Sequence, residues 1–153
     1  MKEKVVLAFS GGLDTSFCVP YLINERGLEV HTVMVNTGGF TKEEEQKIEE
    51  RALSLGATSH KNIDAVEEYY TKGIKYLIFG NVLKNGTYPL SVSSERIFQA
   101  LAVLEEVKNT GAKYVAHGST GAGNDQVRFD LVFEVMAPGV EIIAPIRELS
   151  LTR

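Results

Sequence analysis

The apolar run Lys4–Phe9 stops at Ser10-Gly11-Gly12 and gives way to a helix-forming stretch, Thr15–Glu25. A run of that length reads as a buried strand, and the paired glycines end it. The same change of pattern recurs along the chain. Glu29–Val35 is β-rich and breaks at Asn36-Thr37-Gly38-Gly39, and Thr41–Leu55 is strongly helical. A strand is expected over Thr58–Ile63, a helix over Ala65–Phe79, and an irregular stretch over Gly80–Leu90 with Asn85-Gly86 as its turn. Ser93–Thr110 reads as a helix with Ile97, Leu101, Leu104 and Val107 on one face. Tyr114–Ala116 reads as a strand, Gly118–Asn124 as a glycine-rich loop, Asp125–Met136 as a helix and Val140–Pro145 as a last strand. Strands separated by helices predict a parallel sheet with helices on both faces, and right-handed crossovers make it a doubly wound α/β fold.

Two helices carry local signals. Thr41 can cap the helix it opens, and Glu43, Glu44 and Glu45 suit the positive end of its dipole. Ile48, Ala52 and Leu55 give it a buried stripe, and Gly56 stops it. Pro20 should kink or loosen the first helix, because it removes one backbone donor.

A chain of 153 residues is enough for one domain with a real core. The net charge of −4 argues against a large nucleic-acid footprint but leaves room for a local basic patch. Cys18 is the only cysteine, so neither an internal disulfide nor a cysteine zinc site is possible, and burial in the first helix is its favoured reading. No stretch approaches the roughly 20 apolar residues of a membrane span. The first residues are too short and too soon interrupted for a signal peptide, so a cytoplasmic location with no membrane partner is the expectation. The segment Glu148–Arg153 resembles neither a cap nor a tail, which raises the prospect of a fragment.

The turn Ser10-Gly11-Gly12-Leu13-Asp14-Thr15-Ser16 follows a strand and opens a helix. Such a turn presents free backbone N–H groups at the positive end of a helix dipole. Gly11 and Gly12 let an anion approach the backbone, and Ser10, Thr15 and Ser16 add hydroxyls. The sequence is neither a Walker A loop nor a dinucleotide fingerprint. The plainer alternative is a tight turn with Asp14 or Thr15 as the N-cap.

This stretch resembles the pyrophosphate loop of the N-type ATP pyrophosphatases, and its Leu-Asp-Thr-Ser ending is the form typical of argininosuccinate synthases. A second stretch, His117-Gly118-Ser119-Thr120-Gly121-Ala122-Gly123-Asn124-Asp125-Gln126-Val127-Arg128-Phe129, resembles a segment of the same family almost residue for residue. Its chemistry suits amino acids. Thr120 and Asn124 can hydrogen-bond a carboxylate or amine, Asp125 accepts from an ammonium group, and Arg128 offers a fork for a carboxylate. A third, weaker stretch, Gly86–Ser93, resembles the family's citrulline-binding segment.

The resemblance spans essentially the whole chain and implies an adenine-nucleotide α-hydrolase-like fold and ATP-dependent joining of citrulline to aspartate, giving argininosuccinate, AMP and pyrophosphate. It implies ATP binding by Ala8, Phe9, Ser10, Gly11, Gly12, Leu13, Asp14, Thr15, Ser16 and Gly118. It implies citrulline binding by Tyr88, Ser93, Asn124 and Arg128, and aspartate binding by Thr120, Asn124 and Asp125. Mg²⁺ would accompany the phosphates, no protein metal ligands are assigned, and no catalytic base stands out. Family members carry a large second domain that completes the site and drives tetramer formation. Residues 1–153 would then be the nucleotide-binding part alone, binding nucleotide weakly and poorly active or inactive.

Three departures stand against the family pattern: Asn36–Phe40 in the region that would contact adenine, Ala122 where many relatives carry Lys, and Val92 for a frequent Thr. His31, His60 and His117 are scattered, and a structural role is favoured for His117. Arg96 could add positive charge near the Gly86–Ser93 segment, but a surface helix residue is its favoured reading. Two other readings stay open. A tRNA thiolation enzyme of the same superfamily would need catalytic cysteines and a basic RNA surface, and a non-catalytic ATP-sensing module would bind ATP without either amino acid.

Overall fold

The computed structural model describes residues 2–121 and 123–151. Five strands, β1 (Lys4–Ala8), β2 (Glu29–Asn36), β3 (Ser59–Asp64), β6 (Tyr114–His117) and β7 (Glu141–Ile143), form one sheet in the order β3-β2-β1-β6-β7, every pair parallel. A two-stranded antiparallel hairpin, β4 (Leu83–Lys84) with β5 (Tyr88–Pro89), stands apart, turned by Asn85 and Gly86 at φ 54° and 72°. Both residues in left-handed geometry suit the twist of a tight hairpin.

The helices are α1 (Leu13–Asn24), α2 (Lys42–Ser54), α3 (Val66–Tyr69), α4 (Lys75–Phe79), α5 (Ser91–Thr110), α6 (Asn124–Met136) and α7 (Pro145–Glu148). One apolar cluster joins Val5 and Leu7 to Cys18, Val19 and Leu22 of α1, Ala52 of α2 and Ile146 of α7. The other joins Val6, Val33 and Val115 to Ala100, Val103, Leu104 and Val107 of α5 and to Phe129, Val132 and Phe133 of α6. Alternate residues of β1 thus feed opposite faces of the sheet, and Val5, Val6 and Leu7 are completely buried. Each such side chain contributes about 1.5–3 kcal/mol by leaving water.

The doubly wound architecture expected from the sequence is what the chain adopts. Connections through α1 and α2 step from β1 towards β3 on one face, while α6 carries β6 to β7 on the other. Neighbouring β1 and β6 therefore send their loops away in opposite directions, which opens a crevice at their carboxyl ends.

Several elements differ from expectation. The stretch read as one helix over Ala65–Phe79 is divided by a π-helical turn, Tyr70–Ile74, between α3 and α4. Helix α1 runs through Pro20 without a break. In α5 the buried stripe is Ala100, Val103, Leu104 and Val107, while Ile97 and Leu101 are exposed. The amino-terminal part of α5 turns Glu95, Arg96 and Gln99 to a cleft instead of the core. Helix α2 has the expected cap. Thr41 Oγ1 accepts from the Glu44 amide, and the Glu44 carboxylate accepts from the Thr41 amide at 2.8 Å. A cap of this kind stabilises by about 1 kcal/mol.

Candidate nucleotide and amino-acid site

Ala8 and His117, the last residues of β1 and β6, are register partners. The two glycine-bearing loops therefore leave the same edge of the sheet from the same level. They line one cleft of about 1010 Å³ together with Val33, Met34 and Val35 at the end of β2.

The first loop is shaped by its own backbone. Phe9 continues the sheet, its amide donating to Val33 O at 2.8 Å. Gly11 has φ +73°, a conformation glycine adopts without strain. Gly12 is the N-cap of α1 and no side chain caps it, so the alternative of an Asp14 or Thr15 cap is not what forms. The first intrahelical bond runs from Ser16 N to Gly12 O at 2.9 Å, and the amides of the first turn have no intrahelical acceptor. Ser10 Oγ lies 3.3 Å from Thr15 Oγ1 and 3.4 Å from Gly12 N, folding two hydroxyls over the turn. Among the described residues, Ser16 Oγ is the buried side-chain polar atom without a partner.

The second loop is anchored by His117. Its Nδ1 accepts from the Ser119 amide at 3.2 Å, so Nε2–H is the donor to Asp130 Oδ1 at 2.9 Å. The ring is buried and stacks on Phe129 with centroids 5.7 Å apart. Asp130 also binds Arg147, which reaches Gln126 Oε1 at 3.3 Å, while Gln126 Nε2 donates to Gly121 O at 2.7 Å. Burial pushes the Asp130 carboxyl up, but hydrogen bonds from His117 and Arg147 outweigh it and hold the group below its ordinary range. The structural reading of His117 fits this arrangement.

Beside the second loop lies a chain of charged and amide groups. Arg128 Nη1 donates to Asp125 Oδ1 at 2.6 Å and its Nη2 to Ser93 Oγ at 3.0 Å. Arg96 Nε donates to Asp125 Oδ2 at 3.2 Å, and Arg96 Nη1 to Gln99 Oε1 at 2.7 Å. Gln99 and Thr37 both donate to Glu95 Oε1, at 3.1 and 2.6 Å. Ser93, Asp125 and Arg128 are thus brought together. Arg96 faces the cleft and pairs with Asp125, which favours its reading as positive charge near the site over that of a plain surface residue.

Of the residues singled out in the sequence, Ala8, Phe9, Ser10, Gly12, Asp14, Thr15, Gly118, Thr120 and Asp125 line the cleft. Gly11, Leu13, Ser16, Ser93, Asn124 and Arg128 stand beside that lining, and Tyr88 is exposed on the hairpin. Ala122 lies outside the described residues, as do Met1, Thr152 and Arg153. His31 and His60 bond within the β2–β3 pair, His31 to Ser59 and His60 to Thr32.

Sequence reasoning missed Val33, Met34, Glu95, Gln99 and Arg147 as cleft residues, while Phe40 falls in the segment expected near adenine. Glu95 and Gln99, four apart on a helix, could have been read as one face; Arg147 reaches the cleft only through the return of the chain past β7. The departing segment Asn36–Phe40 forms a compact turn. Asn36 Oδ1 accepts from the Gly38 and Phe40 amides at 2.8 and 3.3 Å, and its Nδ2 donates to Phe40 O and to buried Glu45, both at 2.8 Å. That bond from Asn36, aided by Lys42, holds the Glu45 carboxyl below its usual range. Phe40 is thereby placed on the apolar side of the cleft.

The family model described as "Arginosuccinate synthase N-terminal HUP domain" matches residues 4–153. The chain belongs to the argininosuccinate synthase family. It is 48% identical over 148 residues to the argininosuccinate synthase of Xanthomonas axonopodis pv. citri, covering 97% of this chain and 35% of that relative. It is 47% identical to the enzyme of Saccharolobus solfataricus and 45% identical to that of Methanocaldococcus jannaschii, covering 98% and 100% of this chain. The chain spans 38% of the length of each of those two argininosuccinate synthases. Solved structures support the fold. They include the NMN synthetase from Francisella tularensis, with TM-score 0.58, 13% identity, and coverage of 78% of this chain and 46% of that one. A predicted subunit of tRNA methyltransferase from Methanocaldococcus jannaschii has TM-score 0.60, 21% identity, and coverage of 95% and 68%. Cys18 is wholly buried in the apolar cluster beneath α1, and burial pushes its thiol up to about 12.

Proposed function

We propose that this chain is the nucleotide-binding part of an ATP-dependent ligase that joins citrulline to aspartate, releasing AMP and pyrophosphate. The observation that carries the reading is the register pairing of Ala8 with His117, which sets both loops on one rim of one cleft.

ATP would lie with its base against Val33, Met34, Val35 and Phe40 and its phosphates on the amides of the Ser10–Ser16 loop. Mg²⁺ would arrive on the phosphates, an arrangement that asks for few protein ligands. Asp125 would accept from the aspartate ammonium group, with Thr120 and Asn124 completing its contacts. Arg128, Ser93, Asn124 and Tyr88 would hold citrulline. The ureido oxygen of citrulline would attack the α-phosphorus, and the aspartate amine would then displace AMP. These groups position reactants and stabilise charge, which is where most of the acceleration would arise.

The rest of the active site would come from a further domain, with the longer protein a homotetramer in the cytoplasm. An apolar stripe on α6 supports this: Val127, Leu131 and Val135, spaced one turn apart, are all exposed. Calorimetric titration tests the reading. The chain should bind Mg-ATP weakly and make no measurable argininosuccinate. Failure to bind ATP would remove the nucleotide assignment, and argininosuccinate production by the 153-residue chain alone would overturn the need for a further domain.

A further inference from the structure

A peptide plane between two glycines is the least restrained kind of plane in a chain, and Gly11-Gly12 supplies one at the centre of the phosphate loop. Its orientation decides whether the loop presents a donor or an acceptor. Peptide units are planar, and with no cis bond among the described residues the Gly11 C=O and the Gly12 N–H point in opposite directions.

Helix α2 fixes that orientation. Arg51 Nη1 donates to Gly11 O at 2.8 Å. One turn earlier on the same face, Ile48 sits so close that a β-carbon built on Gly11 would lie 2.9 Å from its Cγ1. Gly11, Ile48 and Arg51 share a separate hollow of about 250 Å³ behind the loop. With the Gly11 oxygen drawn to that side, the Gly12 N–H faces the other, where Ser10 and Gly12 line the cleft. Its partner there is Ser10 Oγ at 3.4 Å, a long bond that a phosphate oxygen would readily replace.

We infer that Arg51 is a positioning residue for phosphate recognition. It never touches the ligand, but it holds the Gly11 carbonyl outward so that the Gly12 amide faces the phosphate chain. The inference rests on the nucleotide reading above. It adds a residue on a different helix, outside both glycine loops. Loss of Arg51 frees the peptide to rotate and to turn a carbonyl oxygen towards the anion.

The test is calorimetric titration of the whole chain with Mg-ATP, inorganic pyrophosphate and adenosine, comparing the unaltered protein with Arg51→Met, Arg51→Gln and Arg51→Lys. Arg51→Met should weaken ATP and pyrophosphate binding about three- to tenfold, the size of one lost hydrogen bond, and leave adenosine unchanged. Arg51→Lys, which keeps a donor, should recover part of the loss. ATP affinity unchanged in a folded Arg51→Met protein would overturn the inference while leaving the nucleotide site standing. So would an equal loss for adenosine and ATP, or unfolding of all three variants, since each assigns Arg51 to general stability. An unaltered chain that binds none of the probes removes the nucleotide reading and this inference together.

Discussion

Gly118 and Thr15 belong to different loops, yet a β-carbon built on Gly118 would lie 2.9 Å from Thr15 Cγ2 and 3.2 Å from Thr15 N. The backbone atom matters most, because it cannot step aside as a side-chain tip can. Gly118→Ala is expected to cost about 1–3 kcal/mol, the usual range for overpacking, and to weaken ATP binding by wedging the loops apart. Gly139→Ala is the control, since a β-carbon there meets nothing within 4 Å. Urea unfolding and ATP titration of both variants check this; equal stability of the two would contradict it.

Asp125 accepts from two guanidinium groups, Arg96 and Arg128. The group is partly exposed, so the pairs add little to stability, of order 1 kcal/mol or less. Its weight should fall on ligand binding. Asp125→Ala is expected to abolish amide shifts caused by millimolar aspartate while ATP shifts persist, with both followed by NMR. Retained aspartate shifts would remove Asp125 from the ammonium site.

Asp130 gives a pH signature. Burial opposes its ionisation, but bonds from His117 and Arg147 win, so its folded pKa lies below the ordinary 3.8. A depressed carboxyl stabilises the fold above its unfolded value, and the contribution fades as pH falls through the folded value. The stability difference between the unaltered chain and Asp130→Asn should therefore be steady at about pH 5–7 and shrink below about pH 4. Urea midpoints across that range measure it; a difference that persists undiminished in strong acid would contradict the assignment.

Cys18 is completely buried, and its thiol is pushed up to about 12, first by burial and then by nearby Asp14. A thiol so held reacts slowly, because the thiolate is the nucleophile. Labelling with a disulfide reagent at about pH 8 should be negligible in buffer and rise with urea in step with unfolding. Rapid labelling of the folded chain would restore a reactive role for this cysteine.

The fold was legible where burial and punctuation agreed. Val5–Leu7 and the glycines after them mark a central strand and its turn, and both signals are local. The π-helical turn was not legible, because Gly73 is there to clear Phe98 of α5, with 2.9 Å from a built β-carbon to Cε2. Beyond the turn, Tyr76, Ile78 and Phe79 of α4 all face solvent, although they point to different sides of the helix. Ile97 and Leu101 misled for a related reason. Periodicity shows that a helix has an apolar side but not how far the sheet extends beneath it. Within the site, the two glycine loops were readable as letters. Arg147 and the Thr37–Glu95 bond depend on chain segments meeting in space, and sequence spacing says nothing of that.

The pairing of Ala8 with His117 hangs both loops from two interior strands of the sheet. Local opening begins at frayed ends and thinly packed edges, and β1 is neither. The relative placing of the loops can therefore vanish only when the central strands part, so the loss of the cleft and the melting of the domain are a single cooperative event.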